Sequence, residues 1–465
     1  MKVKEQSKGE IGYKLERLYD LDRFYEHVTD DLRYVLLGEA SHGTSEFYNW
    51  RIEITKRLIT EHNFSFIAVE GDWPDCYKVN RYVKGKGRSE TNGLKTAYDV
   101  LYSFNRWPTW MWANRGMVSF IEWLRHYNDN ERHSDEEKVG FYGLDVYSLW
   151  ESLEAVIKYL KRVDPSAVKK AVDAFQCFEP YAMSVEDYAR AALFVPESCE
   201  DEVIGMLIEL RNKASQYQAN GIDKREDYFN AEQNAIVAKN AELYYRKMIQ
   251  GGTTTWNIRD THMMDTLKRL MKFHTIDRSK CTVWAHNTHV GDARHTDMAD
   301  AKMINIGQLV REHTNDNKNK VWLVGFGTYK GTVIAAREWG EKMEIMQVPP
   351  AVEGSWDNII HQQIDDDSNR LFIFKNNVTP IHKLTKNTKK ENSETMTRTR
   401  TEKGPGQRAI GVVYNPEYER YGNYAPSVID KRYDMYLHID KTHAPEVKDK
   451  EIPETFPTDT RYKYK

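Results

Sequence analysis

Short apolar segments alternate along the chain with longer segments whose apolar residues recur at helical spacing. The apolar segments are rich in β-branched and aromatic residues, and the predicted strands are 33–40, 64–72, 139–146, 281–288 and 321–328, with later candidates at 332–337, 370–374, 409–414 and 435–440. The early segments are nearly continuous in apolar character, which is typical of strands covered on both faces of a parallel sheet. Residues 44–62 have a helical period. This alternation predicts an α/β fold with a mainly parallel central sheet flanked by helices.

The middle of the chain carries helix patterns almost without strand signals. Residues 148–280 contain long stretches of strong helix formers at helical periodicity. We therefore predict a helical insertion or subdomain there, between a first part of the α/β core at 1–147 and a second part at 281–445. The stretch 383–408 is rich in Lys, Arg, Thr and Asn without an apolar period, which favours a flexible loop over a polyanion-binding segment. Residues 446–465 form a C-terminal tail.

The bulk composition narrows the class of protein. Over 465 residues the net charge is −3, which gives no electrostatic reason to expect nucleic acid or an anionic membrane as partner. The first residues are charged, without the apolar core of a signal peptide, and no apolar window is long enough to span a bilayer. The cysteines show neither CxxC pairs nor metal-finger spacing, which predicts reduced, mostly packed thiols in a cytoplasmic protein, at Cys76, Cys177, Cys199 and Cys281.

Titratable side chains follow the predicted strands at their carboxyl ends. In chain order these side chains are Glu39, His42, Glu70, Asp72, Asp145, His286 and His289. In open parallel sheets the ligand crevice lies outside the carboxyl ends of the strands. Each residue alone has a structural alternative, such as an acid that favours a helix N-terminus or an aspartate that holds a turn. Together they predict an active site at one edge of the sheet.

Two further segments supply candidate contacts. Arg51 lies about two turns into the helix after the first strand, where it either points back toward the carboxylates or is solvated; the residues alone favour the solvated alternative. Asn114 and Arg115 lie in a dense aromatic run at 107–116. Such a run is typical of a cleft wall or lid loop, and a packing cluster is a serious rival.

The opening motif raises the question of which side chain reacts. Its five residues are Glu39-Ala40-Ser41-His42-Gly43. A hydrolase nucleophile would sit on a G-x-S-x-G turn, but a bulky acid replaces the first glycine, so the match of Ser41 is poor.

A metal site and a general base are the other two chemistries. A divalent metal would find nitrogen and oxygen ligands in His42, Glu70, His286 and His289, although the H-x-x-H pair lies at a strand end and not on a helix. A neutral histidine could instead take a proton from water. A carboxylate from Glu39 or Glu70 would fix its tautomer, and the remaining histidines or Arg51 would bind the developing oxyanion.

The ordered motifs resemble the erythromycin esterase family over nearly the whole chain. They are GEASHGTSEF, FSFIAVEGDWP, WPTWMWANR, YGLDVYSLW, NIRDTHM and VWAHNTHVGD, in this order. The resemblance implies a hydrolase that adds water to a macrolactone ester, as in antibiotic resistance, although some relatives are labelled succinoglycan biosynthesis proteins. It also implies an α/β core with a deep cleft, and the helical insertion would form one side of that cleft.

The resemblance also assigns roles to individual positions. The motif histidine, the proposed general base of the family, is His42, and the other matched catalytic positions are Glu39, Glu70, Arg51, His286 and His289. The positions of the residues at the strand ends and in the aromatic run, and not the resemblance, give the expected substrate-binding residues, which are Asp72, Asn114, Arg115 and Asp145.

The resulting expectation is an erythromycin-esterase-like hydrolase. Its partner would be a small-molecule ester, with neither nucleic acid nor membrane, and its location the cytoplasm. No cofactor is required for this chemistry, and a divalent metal stays open. The alternatives are a metal-dependent hydrolase with the same His/Glu cluster and a non-catalytic protein that binds a hydrophobic ligand. The sequence does not fix the oligomeric state.

Overall fold

The computed structural model describes most of the chain. The described residues are 12–447, apart from 87–94, 133, 182–184, 195–197, 219–221, 250, 275–278, 365–367, 381–399 and 402–403. They divide into two compact units. The first unit runs to Ala68 and includes Thr96–Leu124 and Thr275–Val447; the second includes Val69–Lys95 and Arg125–His274. The second unit therefore extends beyond the helical insertion predicted at 148–280.

The strands and helices follow in chain order. The strands are β1 Tyr13–Lys14, β2 Tyr34–Leu37, β3 Phe66–Asp72, β4 Gly140–Asp145, β5 Cys281–Trp284, β6 Val321–Ala335, β7 Glu344–Val348, β8 Arg370–Ile373, β9 Arg400–Thr401, β10 Gly404–Arg408, β11 Tyr424–Pro426 and β12 Met435–Thr442. The helices are α1 Asp22–Tyr25, α2 Ser45–His62, α3 Trp73–Val83, α4 Ala97–Leu101, α5 Arg115–Glu131, α6 Leu149–Val163, α7 Val168–Cys177, α8 Val185–Phe194, α9 Glu200–Asn212, α10 Ala214–Gln218, α11 Ile222–Met248, α12 Thr254–Phe273, α13 Asn287–Val290, α14 Ile306–His313, α15 Trp356–Gln362, α16 Glu419–Gly422 and α17 Ile429–Arg432.

Within the described residues the main sheet has nine strands, which confirms the predicted α/β class. Its order is β1-β8-β12-β6-β2-β5-β3-β4, with β7 paired to β6. Strand β2 is parallel to both β5 and β6, and β12 is parallel to β6, whereas β1, β7 and β8 pair antiparallel to their neighbours. Every residue of β2 is buried, which explains its continuous apolar run: both faces of a central parallel strand are covered. A smaller sheet has the order β11-β10-β9.

The second unit contains a helical core of its own. Leu153, Val156 and Leu160 repeat at helical spacing on α6 and are fully or almost fully buried. They belong to one apolar cluster with Ala231 and Ala235 of α11. Alanines on α11 favour a close approach of the two helices because their side chains take little space.

Several local predictions differ from the structure. Residues 409–414 were expected to form a strand, but they make only isolated bridges, through Ile410 and Val413. The fourth predicted strand ends at Trp284, and α13 follows it. Two predicted segments, 321–328 and 332–337, belong largely to one strand, β6. The predicted flexible loop at 383–408 lies mostly outside the described residues, and its end forms strand β10. The tail beyond 447 lies outside them.

The cysteine prediction holds for only two of the four residues. Cys76 and Cys281 are buried free thiols. Cys177 and Cys199, which were expected to be reduced, form a disulfide between the end of α7 and the residue before α9. The sequence spacing gave no sign of this pairing. In the described part of the chain, no helix is long and apolar enough to cross a membrane.

Candidate active site

The GEASHG segment forms the connection between β2 and α2. Two of its glycines are required by close packing. A Cβ at Gly38 would lie 2.1 Å from Asn287 Oδ1, and one at Gly43 would lie 2.0 Å from the carbonyl oxygen of Ile334. Contacts this short exclude any side chain, so these glycines let the loop pack directly against α13 and β6.

One carboxylate binds both a histidine and an arginine in this loop. Glu39 Oε1 lies 2.9 Å from His42 Nδ1, and Glu39 Oε2 accepts a hydrogen bond of 2.6 Å from Arg51 Nη2. All three residues are buried. The first two side chains are three positions apart in the loop, and α2 brings Arg51 back to them. The structure thus brings together three of the predicted catalytic residues.

This geometry selects one ring nitrogen of His42 for chemistry. A carboxylate accepts hydrogen bonds, so Glu39 favours the tautomer that carries the proton on Nδ1. Nε2 of the neutral ring then has a lone pair. No described residue donates to Nε2. A histidine arranged in this way can accept a proton from a water molecule.

Arg51 is not solvated, as its sequence context alone would favour, but fully buried. Its guanidinium lies 4.8 Å from the ring centroid of Tyr48 and 5.1 Å from that of Trp284. Its Nε donates to the carbonyl oxygen of Phe47. Cation–π contacts of this kind are strongest where water is excluded. Arg51 therefore holds the Glu39 carboxylate in a fixed place and offsets its charge.

Tyr48 also holds this loop, and the sequence reasoning missed it. Its hydroxyl oxygen lies 2.8 Å from the carbonyl oxygen of His42 and 2.6 Å from that of Met111, and its single proton can be donated to either. Tyr48 lies three positions before Arg51 on α2, so both face the same side of the helix. That spacing was the one signal in the sequence that could have identified it.

His286 is a neighbour of His42 in space. Their ring centroids are 4.9 Å apart, with the ring planes inclined by 41°. His286 Nδ1 accepts the backbone N–H of Thr288 at 3.3 Å and lies 2.8 Å from its hydroxyl oxygen. A neutral ring that accepts at Nδ1 carries its proton on Nε2 and can donate there.

Asn287 fixes the position of the histidine pair relative to the motif loop. Its backbone N–H donates to the carbonyl oxygen of Glu39 at 2.8 Å, and its side-chain amide donates to that of Phe326 at 2.6 Å. His289 lies buried on the same short helix, α13. The HNTH segment is thereby held against the residues that follow β2 and against the middle of β6.

Ser41 is placed as a structural residue. It is buried, and its hydroxyl contacts the Thr44 hydroxyl. In the described part of the chain no histidine contacts this hydroxyl. A serine nucleophile needs an adjacent base, so the arrangement favours the histidine as the reactive group of the motif.

Asn114 and Arg115 make structural contacts. Asn114 is buried, accepts the backbone N–H of Met117 and donates to the carbonyl oxygen of Met111, as a residue that caps α5. The Arg115 side chain is 78% exposed and pairs with Glu446 at 2.7 Å. Both residues line a surface cavity of about 520 Å³ beside α2 and α5. Their predicted role in substrate binding stays a prediction.

A second acid–arginine cluster lies in the second unit. Arg259 Nε and Nη2 donate to the two oxygens of Asp145 at 2.9 and 2.6 Å, and Nη2 also donates to Glu70 Oε1 at 2.7 Å. Burial alone would lower the pKa of Arg259. The nearby groups Asp145, Tyr147 and Glu70 act more strongly in the other direction, so the pKa of Arg259 is raised. The sequence reasoning missed Arg259, although it lies in the NIRDTHM motif. The remaining predicted residue, Asp72, is the N-cap of α3.

His262 lies one helical turn after Arg259 on α12. It is buried, and Asn240 contacts its Nδ1 at 2.8 Å. Burial lowers its pKa to about 4, because the charged form loses its hydration. His262 is therefore neutral at physiological pH. Within the described residues, no group of three or more His, Cys, Asp or Glu side chains is arranged to hold a metal ion.

A model of one protein family matches most of the chain. It is that of erythromycin esterase, and the match extends over residues 59–442. This chain belongs to the erythromycin esterase family. The part of this chain that the family model matches contains Glu70 and the HNTH segment, and it begins after the GEASHG motif. The resemblance in the sequence motifs is thus confirmed.

A relative named erythromycin esterase agrees with the family, and solved structures share the fold. Erythromycin esterase type II of Escherichia coli is 23% identical over 365 residues, which cover 74% of this chain and 81% of that protein. A succinoglycan biosynthesis protein has a similar structure, with a TM-score of 0.66 and 19% identity over 94% of this chain and 96% of that one. A mutant of the erythromycin esterase EreC in its open conformation has a TM-score of 0.63, 12% identity and coverage of 95% and 99%. These structural likenesses extend to the fold.

Proposed function

We propose that this member of the family hydrolyses a carboxylic ester and that His42 is the general base. The observation that carries the proposal is the Glu39–His42 contact, which leaves Nε2 as the basic nitrogen. In the proposed reaction His42 Nε2 accepts a proton from water while the water oxygen bonds to the ester carbonyl carbon. The C–O bond to the alcohol then breaks, and the imidazolium returns the proton to the leaving alkoxide. The products are a carboxylic acid and an alcohol.

Glu39 and Arg51 act through His42 in this proposal. Glu39 holds the imidazole by Nδ1 and stabilises the imidazolium that forms during the reaction. Arg51 fixes the second oxygen of Glu39 and so prevents rotation of the carboxylate. General-base catalysis of this kind contributes roughly 10²- to 10⁴-fold to a rate.

His286 is the proposed donor to the developing oxyanion. Its Nδ1 accepts from Thr288, so Nε2 carries the proton that an oxyanion needs. The His286 ring lies beside the His42 ring. This proximity is needed if His42 is to activate the water that attacks a carbonyl group while His286 donates to the oxygen of the same group. His289, on the same helix, is the second candidate for this role.

The proposed substrate class is a large ester such as a macrolide lactone. The support for it is the family and the relatives named erythromycin esterase. A metal-dependent reaction stays the alternative from the sequence, because histidine and glutamate include donors that zinc accepts. Within the described residues, however, no group of three or more such side chains is arranged to hold a metal ion.

The test compares wild type with His42→Ala, each with and without a chelator. Erythromycin and a chromogenic short-chain ester are the substrates, and mass spectrometry detects the mass of one added water. The expected result is turnover by wild type, insensitive to chelator, and a loss of at least 10²-fold in kcat for His42→Ala with substrate affinity kept.

A matched control is His443→Ala. His443 pairs with Glu46 at 2.7 Å, but its side chain is 60% exposed, so the same chemical change should leave kcat unaltered. Equal activity of wild type and His42→Ala would overturn the role of His42. Loss of activity with chelator, restored by zinc or manganese, would favour the metal-dependent reaction.

A further inference from the structure

The turn after β6 exposes a tryptophan. Glu341 N–H donates to the carbonyl oxygen of Glu338 across this turn, and Gly340, its third residue, has φ = +82°. A glycine is favoured there because L side chains rarely adopt this conformation. Trp339 therefore occupies the corner of a well-defined turn, and 61% of its surface is exposed. A ligand that covers an apolar ring this exposed removes it from water, which favours binding of the ligand.

A second tryptophan is fixed to the same turn. Trp107 Nε1 donates to the carbonyl oxygen of Glu341 at 3.0 Å, and its ring centroid lies 4.7 Å from that of Trp339. The ring planes are inclined by 60°, the edge-to-face arrangement that aromatic pairs favour. We refer to Trp107 and Trp339 as the aromatic lip.

Two short connections join the lip to the loop that carries His42. Ile334 N–H donates to the carbonyl oxygen of Gly43 at 3.0 Å, and five residues lead from Ile334 to Trp339, at most about 18 Å of chain. On the other side, the Tyr48 hydroxyl contacts the carbonyl oxygens of both His42 and Met111. Met111 lies four positions after Trp107, at most about 14 Å along the chain.

A further exposed apolar side chain lies on the same hairpin. Ile345 pairs with Ile334 across β6 and β7, and 70% of its surface is exposed. Cross-strand partners have Cβ atoms about 5 Å apart. The exposed apolar groups of this hairpin thus begin beside the strand that contacts Gly43 and continue to its tip.

We propose that the aromatic lip binds the apolar body of the ester whose carbonyl group reacts at His42. The proposal rests on the proposed function and adds a determinant of substrate size. A large substrate with an apolar ring system could cover both tryptophans while its ester lies in the site. A short-chain ester has no apolar ring system to cover them.

The experiment measures kcat/KM of wild type and Trp339→Ala with erythromycin and with p-nitrophenyl acetate. Equilibrium dialysis with erythromycin measures affinity separately, and circular dichroism checks the fold. Truncating a buried aromatic contact typically weakens binding strongly, so we expect KM and Kd for erythromycin to rise roughly tenfold. The ratio of the two kcat/KM values should fall by a similar factor. Trp339→Phe should lie between the two proteins.

Tyr19→Ala is the control, because Tyr19 is 55% exposed and follows β1, three places from β6 in the sheet. An unchanged ratio for Trp339→Ala would overturn the lip while leaving the proposed function intact. If wild type hydrolyses neither ester but binds erythromycin, the proposed function fails, and a weaker Kd for Trp339→Ala would still support the lip. If wild type does not bind erythromycin, the lip proposal is wrong for this substrate class.

Discussion

Two acid–arginine arrangements, one in each unit, differ in their numbers of acidic and basic side chains. In the first unit one acid, Glu39, binds Arg51 with one oxygen and His42 with the other. In the second unit two acids, Glu70 and Asp145, both bind Arg259. All of these carboxylates are buried.

The proportions determine what each arrangement can do. Glu39 gives its second oxygen to His42, so a proton gained by that ring comes to lie beside a carboxylate. The cluster around Arg259 carries one net negative charge when both acids are ionised, and its arginine donates to both of them. We interpret the first as an arrangement for proton transfer and the second as a rigid anchor.

Glu39→Gln should have the largest effect. The amide keeps the size of the side chain but does not hold the Nδ1–H tautomer of His42, so kcat should fall by roughly 10³-fold or more. Steady-state kinetics with a chromogenic ester measure it, and Glu46→Gln in the exposed pair with His443 is the control. A kcat within threefold of wild type would contradict our interpretation of the motif.

Arg259→Met should have the next largest effect, on stability. It leaves two buried carboxylates without their shared partner, which should lower the free energy of unfolding by about 3–5 kcal/mol. Urea denaturation measures the change, and Arg162→Met, in a pair with half-exposed arginine, should cost less than about 1 kcal/mol. A loss below 1 kcal/mol for Arg259→Met would remove the contrast between the two arrangements.

Removal of the disulfide tests whether the helical core of the second unit depends on it. The bridge closes a loop of 22 residues, and loss of such a constraint should lower the free energy of unfolding by about 3 kcal/mol. The measurement compares wild type with the double variant Cys177→Ser, Cys199→Ser, with and without reductant. Reductant should destabilise wild type only; a variant as stable as oxidised wild type would show that the bridge contributes nothing.

His262 should produce the smallest effect, a pH dependence. Its pKa is about 4 in the folded chain and about 6.5 when unfolded, so the unfolded state binds more protons between these values. Stability should therefore fall as the pH drops from 7 to 5, by about 2 kcal/mol from this residue. His262→Gln should remove that part of the slope, whereas His126→Gln, at an exposed position, should not. Parallel slopes for wild type and His262→Gln would contradict this assignment.

Local sequence patterns predicted much of the fold and those site residues that lie close together along the chain. Buried parallel strands need apolar residues on both faces, so β2 and β3 were visible in the sequence. Glu39 and His42 lie three positions apart, so their proximity was visible in the sequence. The residues alone favoured a solvated Arg51, and only the family resemblance placed it in the site. Residues 409–414 were mistaken for a strand because an apolar run does not show what it pairs with; Ile410 meets the motif loop instead.

Contacts between distant residues could not be predicted in this way. Arg259 follows Glu70 by 189 positions, and no local period relates them. The pairing of Cys177 with Cys199 depends on how α7 and α9 pack, which spacing does not encode. The Trp107–Trp339 contact likewise depends on the turn at Gly340 and on a strand, β7, whose polar positions concealed it.

Strand β6 fixes the distance between the motif loop and the tip of the β6–β7 hairpin. It is one uninterrupted strand from Val321 in the sheet to Ala335, and it contacts Gly43 just before it ends. The backbone, and not side-chain packing, therefore sets the distance between the hairpin tip and the motif loop. If the aromatic lip binds substrate as proposed, mutations at the tip would alter which molecules are accepted without disturbing the histidine, so selectivity and chemistry could evolve separately.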